Sequence, residues 1–145
     1  MGKLRHIAIA VANTDETAKF YEQAFGMTRV RQSVSSIMLT DGVISLAILD
    51  NKTSHEAIGH NGLHHVGFIT DDVGGTADKA EQVGAVYADK AENVAKRFEN
   101  RGQLKDGQLT ADAQQQEQRK YVDPNGLKFD IVNTLHARNS WCLSL

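Results

Sequence analysis

Apolar residues along this chain fall into short blocks separated by polar turns, and the same order of blocks occurs twice. Leu4-Arg5-His6-Ile7-Ala8-Ile9-Ala10-Val11 is aliphatic and too short for a helix, which predicts a strand. A polar turn follows. Thr14 offers a capping hydroxyl, and Asp15 and Glu16 place acid in the first turn, where the helix dipole favours it. Ala18, Tyr21, Ala24 and Phe25 then recur at three- and four-residue spacing, the mark of a helix with one apolar face. Gly26 is placed to end it in the left-handed conformation. Three strands are predicted next, over residues 28–34, 36–39 and 43–49, with Asp41-Gly42 as the tight turn between the last two.

The second copy opens with His65-Val66-Gly67-Phe68-Ile69, turns at Asp71-Asp72, and continues into a helix over residues 75–83 that Gly84 ends. Laying His6 on His65 brings Thr17-Ala18 onto Thr76-Ala77 and Glu22-Gln23 onto Glu81-Gln82. One strand-helix-strand-strand-strand unit is therefore written twice. Asp123-Pro124-Asn125-Gly126 is a turn with a mechanism, since proline presets φ and Asn-Gly tolerates positive φ; it launches a strand over residues 127–132. The second unit is about 25 residues longer than the first, and the excess is the polar, Gln-rich stretch 88–119, expected as a solvated loop or short surface helix. The expected organisation is one domain over 1–145, with module one at about 1–60 and module two at about 61–135, carrying that insertion.

Composition narrows the partners. Sixteen basic and eighteen acidic side chains give a net charge of −2, and no Lys/Arg cluster suited to a phosphate backbone is present, so nucleic acid is excluded as a partner. In 88–119, Lys96, Arg97, Arg101, Lys105 and Arg119 alternate with Glu92, Glu99, Asp106, Asp112 and Glu117, the pattern of a solvated segment rather than of a cationic pocket. The single cysteine, Cys142, cannot form an internal disulfide and reads as a packing residue. No apolar run approaches the roughly 20 residues of a membrane span, and no signal-peptide core opens the chain, so a cytoplasmic protein without a membrane partner is expected.

The doubled opening H-[IV]-[AG]-[IF] and the closing D-P-N-G-x-x-hydrophobic-acid resemble the vicinal oxygen chelate superfamily, which includes glyoxalase I, extradiol dioxygenases, methylmalonyl-CoA epimerase, fosfomycin resistance enzymes and bleomycin-binding proteins. The resemblance covers nearly the whole chain and is weakest over 88–119. It implies an α+β fold in which two βαβββ modules place their mixed strands side by side to form an open, barrel-like cleft. It also implies a divalent metal held by His6, His65 and Asp130. Two neutral imidazoles and a carboxylate on a rigid sheet form a facial set that leaves metal positions open. By alternation Asp130 shares a face with Lys128 and Val132, and a carboxylate turned into a cleft is costly unless a cation or donor meets it.

Two departures from the family pattern direct the choice of chemistry. Asp130 stands where most members carry glutamate. At the end of module one, where the isomerases supply a further Glu or Gln ligand, this chain offers Leu46 or Ala47, depending on register, with Asp50 too far along. The three-ligand members are therefore the better comparison, and the resemblance implies an extradiol dioxygenase-like oxidoreductase using Fe(II) or Mn(II), with Zn(II) or Ni(II) as alternatives, on a small substrate with adjacent oxygens. A fosfomycin-type thiol transferase and a metal-free bleomycin-resistance-like binding protein are the competing implications. Candidate acid-base or donor groups are His55 and His60, in the linker between the modules, and Tyr121, one residue beyond the family's donor position, which Lys120 occupies. His64 is expected to turn away from His65 by strand alternation. The resemblance also implies a homodimer, since small two-module members of the family commonly pair.

Overall fold

The computed structural model describes residues 1–89, 104–105, 108–109 and 115–145. Most of the 88–119 stretch, with Lys96, Arg97 and Arg101, lies outside the described residues. The elements are β1 (Lys3–Val11), α1 (Thr14–Phe25), β2 (Thr28–Gln32), β3 (Ser36–Thr40), β4 (Ser45–Asp50), β5 (Gly62–Ile69), α2 (Val73–Gln82), β6 (Val86–Tyr87), β7 (Leu104–Lys105), β8 (Gln108–Leu109), β9 (Gln118–Val122), β10 (Lys128–Val132) and α3 (Thr134–Ser140).

Local chemistry sets the boundaries and corrects several expected ones. The cap of α1 is Asn13, not Thr14: the Asn13 side chain accepts from the Glu16 amide, so Thr14 already belongs to the helix. Gly26, at φ 67°, closes it in the left-handed region as expected. Helix α2 starts two residues before the expected Gly75, because Asp72 caps it by accepting from the Gly75 amide. Asp41 accepts from the amides of Val43 and Ile44, which delays β4 to Ser45. Asp123 does the same for Asn125 and Leu127 ahead of β10. Helix α3, absent from the sequence-based expectation, is capped by Asn133, whose side chain accepts from the His136 amide.

The fold is α+β. Eight strands form one mixed sheet that is not closed, in the order β2-β3-β4-β1-β5-β10-β9-β6, while β7 and β8 pair separately. Strand β1 is parallel to β4 and β5 is parallel to β10; the two halves meet where β1 and β5 run antiparallel. Each half thus repeats one topology. On one face, Ile7, Ile9, Leu46 and Ile48 pack with Ala18 and Tyr21 of α1, and Tyr121 and Ile131 pack with Val73 and Ala77 of α2. On the other face, Ala8, Ala10, Met38, Ala47 and Leu49 are met by Ala57 and Cys142, while Val132 is met by Ala137, Trp141 and Leu143. The C-terminal segment therefore lies across the cleft side of the sheet. Arg31 fastens it by donating to the Ser140 carbonyl at 2.7 Å.

The central β1/β5 pair carries two irregularities. Leu4 pairs with Phe68 but His6 pairs with Gly67, which leaves Arg5 as an extra residue; Ala8 pairs with His65 but Ile9 pairs with Leu63, which leaves His64 as another. Such bulges increase local twist and re-aim side chains. Arg5 and His64 are equivalent under the offset that relates His6 to His65, so the duplication extends to the bulges themselves. Each bulge immediately precedes its histidine.

Candidate functional site

The two repeated histidines meet at the junction of the modules. His6 Nε2 lies 3.3 Å from His65 Nε2, and His65 Nε2 lies 3.6 Å from Asp130 Oδ2. All three residues are buried. Strand β1 supplies His6, β5 supplies His65, and β10, parallel to β5, brings Asp130 in beside Gly67.

Each histidine is held from behind. His6 Nδ1 is 2.6 Å from the Ser45 hydroxyl, its direct partner across the β1/β4 pair. His65 Nδ1 is 2.8 Å from His64 Nδ1, whose Nε2 lies 2.7 Å from the Glu56 carbonyl. The expectation that His64 turns away from His65 is thus corrected, and the bulge at His64 is the reason. Trp141 stacks on His6 with ring centroids 4.4 Å apart and planes within 4°. Gly67 makes room for that stack, since a Cβ there would lie 2.5 Å from the Trp141 ring and 2.9 Å from His6 Cβ.

Among the described residues, Asp130 has two partners besides His65. Lys120, opposite it on β9, donates to Oδ1 at 2.9 Å, and the Gln118 side-chain amide donates to Oδ2 at 3.2 Å. Lys120 also lies 3.9 Å from Glu56. Burial alone would push the Asp130 carboxyl up, but the Lys120 ammonium, with help from His65, outweighs it and holds Asp130 well below the usual carboxylate range. Burial pushes His6 well below its ordinary value, reinforced by His65 beside it. Burial likewise lowers His65 to about 4, against the opposing pull of Asp130. The cluster is two neutral imidazoles beside an ionised carboxylate.

Ligand bonds of about 2.0–2.2 Å would set the donor atoms around one ion roughly 3–3.6 Å apart. The separations of 3.3 and 3.6 Å fall in that range, and the donor types suit a divalent transition metal. As the side chains lie, no group of three or more His, Cys, Asp or Glu among the described residues is arranged to hold an ion, and Asp130 is engaged by Lys120 and Gln118. His6, His65 and Asp130 are the residues that could hold one.

A model of the Glyoxalase/Bleomycin resistance protein/Dioxygenase superfamily matches residues 3–101. The chain belongs to this superfamily. It is 27% identical over 100 residues to the uncharacterized protein YwbC of Bacillus subtilis (strain 168), covering 61% of this chain and 76% of that one. Among solved structures, a variant methylmalonyl-CoA epimerase of Streptomyces coelicolor, in complex with 2-nitronate-propionyl-CoA, superposes with TM-score 0.55 at 19% identity, over 90% of this chain and 96% of that one. A mutant 4-hydroxymandelate synthase from Streptomyces coelicolor reaches TM-score 0.61 at 16% identity, over 91% of this chain and 48% of that one. At such identities the superpositions speak for the fold alone. Members of the superfamily usually bind a divalent metal, take small-molecule substrates and are often dimers. No helix among the described residues is long and apolar enough to cross a membrane.

Within this vicinal oxygen chelate fold the other expected residues separate. His55 lines a cavity of about 220 Å³ beside the cluster, together with Glu56, His65, Lys120, Lys128 and Asp130. His60 is exposed and makes an edge-on contact with His64, at 5.0 Å between ring centroids. Tyr121 also lines that 220 Å³ cavity, but its hydroxyl turns to the helix face, where it donates to Glu81 at 2.8 Å. The structure does not bring that hydroxyl to the cluster, because strand alternation gives the cleft face of β9 to Gln118 and Lys120. Ser45, Gln118 and Trp141 were missed. Pairing β4 with β1 and β9 with β10 would have found the first two; Trp141 follows a seven-residue helix too short for a periodic signal.

Proposed function

We propose that the chain is a metal-dependent enzyme in which His6, His65 and Asp130 hold Fe(II) or Mn(II), and that it acts on a small substrate with adjacent oxygens by chemistry of the ring-cleaving dioxygenase type. The observation that carries the reading is the approach of His6 Nε2, His65 Nε2 and Asp130 Oδ2, each residue oriented by a partner behind or beside it. A second observation supports three ligands rather than four. Lys128 and Asp130 pair with His65 and Gly67 as Ser45 and Ala47 pair with His6 and Ala8, so Ala47 stands where module two has Asp130. A methyl group cannot bind metal.

When bound, the metal would supply Lewis acidity and a template for two substrate oxygens, and redox chemistry if it is iron. The chain does the rest. Trp141 closes the cleft on the His6 side and keeps water from that face of the imidazole. On the His65 side the 220 Å³ cavity gives a compact molecule access, with Lys120 and Lys128 placed to meet negative charge on it. A homodimer belongs to the same reading and is tested by light scattering.

The deciding experiment is anaerobic purification with metal analysis of wild type and His65→Ala, followed by a catechol panel scored for yellow ring-cleavage products. Stoichiometric iron or manganese in wild type, its loss in His65→Ala, and turnover of one catechol are expected. Wild-type protein that takes up no Fe(II), Mn(II), Zn(II) or Ni(II) would sink the proposal. One observation favours a second reading in that event: Lys120 already neutralises Asp130 at 2.9 Å, as a metal-free small-molecule binding protein would require.

A further inference from the structure

Three histidine nitrogens and one carbonyl form a chain whose proton positions follow from a single fact. The Glu56 carbonyl can only accept, so His64 must donate to it from Nε2, at 2.7 Å. In neutral His64 the remaining nitrogen, Nδ1, is then an acceptor. Among the described residues, the hydrogen it can accept, at 2.8 Å, is that of His65 Nδ1. His65 is thereby left with a bare Nε2, the atom that faces His6 and Asp130. His6 has no such anchor, because the Ser45 hydroxyl at 2.6 Å can either donate or accept. His6 is therefore free to carry its proton on Nε2 and donate to His65 when no metal is present, and to move it to Nδ1 when one is.

We infer that His64 is a positioning residue: through the bulge that turns it back toward its neighbour, it fixes His65 in the Nδ1–H tautomer and so keeps one bare nitrogen permanently aimed into the site. That this nitrogen serves a metal rests on the function proposed above; the tautomer itself does not. Outer partners of this kind are worth about 10–100-fold in metal affinity where measured. The bulge makes the device possible, and it is on β5 because the equivalent bulge of β1 is occupied by Arg5 rather than a histidine. A regular strand would point consecutive side chains to opposite faces, and His64 could not reach His65.

The test uses the full chain and does not depend on turnover. Long-range proton–nitrogen correlation spectra of ¹⁵N-labelled protein, with chelator at neutral pH, assign the tautomer of each ring for wild type, His64→Gln and His64→Leu. Mn(II) alone is then titrated into each. Wild type is expected to show His65 as Nδ1–H, His64→Gln to keep it, since a side-chain carbonyl can accept the same proton, and His64→Leu to lose it. Mn(II) affinity is expected to fall about 10–100-fold in His64→Leu and to be largely rescued in His64→Gln. His65 carrying its proton on Nε2 in wild type would overturn the inference even if His64→Leu fails to fold, and so would an unchanged tautomer in His64→Leu. Equal Mn(II) affinity in all three proteins would overturn the metal-positioning role. If wild type shows the expected tautomer but binds no Mn(II), Fe(II), Zn(II) or Ni(II), His64 keeps its orienting role and it is the metal-enzyme reading that falls.

Discussion

Replacing Gly67 by alanine probes the contact on which the His6 side of the site rests. The new Cβ would stand 2.5 and 2.6 Å from two Trp141 ring carbons and 2.9 Å from His6 Cβ, whereas carbon atoms in contact sit about 3.5–4.0 Å apart. Trp141 must retreat by roughly 1 Å, and it is enclosed by Val132, Ala137 and Leu143. Overpacking of this kind costs about 1–3 kcal/mol, and losing the ring stack adds about 0.5–1.5 kcal/mol. Alanine recovers about 0.5–1 kcal/mol as a better strand residue than glycine. The net expectation is a loss of about 2 kcal/mol, read from urea unfolding followed by circular dichroism. Because Trp141 is the single tryptophan, its emission reports the displacement in the folded state directly. Combining Gly67→Ala with Trp141→Leu should cost less than the sum of the two, since the clash is removed with the indole. A Gly67→Ala protein with unchanged emission and stability within about 0.5 kcal/mol of wild type would refute the account.

Lys120→Met leaves the buried Asp130 carboxylate without its ammonium partner, so stability should fall by about 3 kcal/mol in chelator-treated protein; unchanged urea midpoints would show that Asp130 does not depend on Lys120. Tyr121→Phe removes the bond to Glu81 on the helix face and should cost about 1 kcal/mol while leaving Mn(II) affinity as in wild type; weakened metal binding would instead return Tyr121 to the site. Acid should destabilise the metal-free protein through His65: its folded value near 4 lies below the ordinary 6.5, so the stabilisation is complete above about pH 6.5 and is lost as pH falls toward 4, up to about 3 kcal/mol, with His6 acting in the same direction. Equal urea midpoints at about pH 7 and about pH 4.5 would contradict that linkage.

The duplicated unit and its helices were legible because each leaves a periodic or positional trace, whereas the set His6, His65 and Asp130 came from the family resemblance. Ile7 and Ile9 alternate with His6, Ala8 and Ala10, which assigns the faces of β1 before any pairing is known. The proline-containing turn at Asp123 places β10 and hence Asp130. The environment of these residues was hidden because it depends on register. The same alternation that set the face of Asp130 gave the wrong direction for His64, since a bulge adds one residue and leaves no compositional mark at its position. The choice between Leu46 and Ala47 likewise needed the β1/β4 pairing, which settles on Ala47.

Register also shows how a symmetric duplication yields a one-sided site. At equivalent positions the first module has Ala47 opposite Met38, and the second has Asp130 opposite Lys120. The module-one pair is an apolar wall, packed with Ala8, Ala10 and Leu49. The module-two pair carries both charges. Position 8 keeps a methyl group that fills the wall, while its equivalent, Gly67, has none and admits Trp141 onto His6. The histidines are thus supported in opposite ways: His6 by an indole and a hydroxyl that rotates, His65 by a fixed chain of hydrogen bonds ending on a carbonyl. If both supports were equally rigid in the metal-free protein, two bare nitrogens would face each other at 3.3 Å with no proton between them, a repulsive arrangement. One adaptable histidine beside one fixed histidine removes that conflict without moving the backbone, which is why the difference between the two halves, rather than their likeness, makes the site workable.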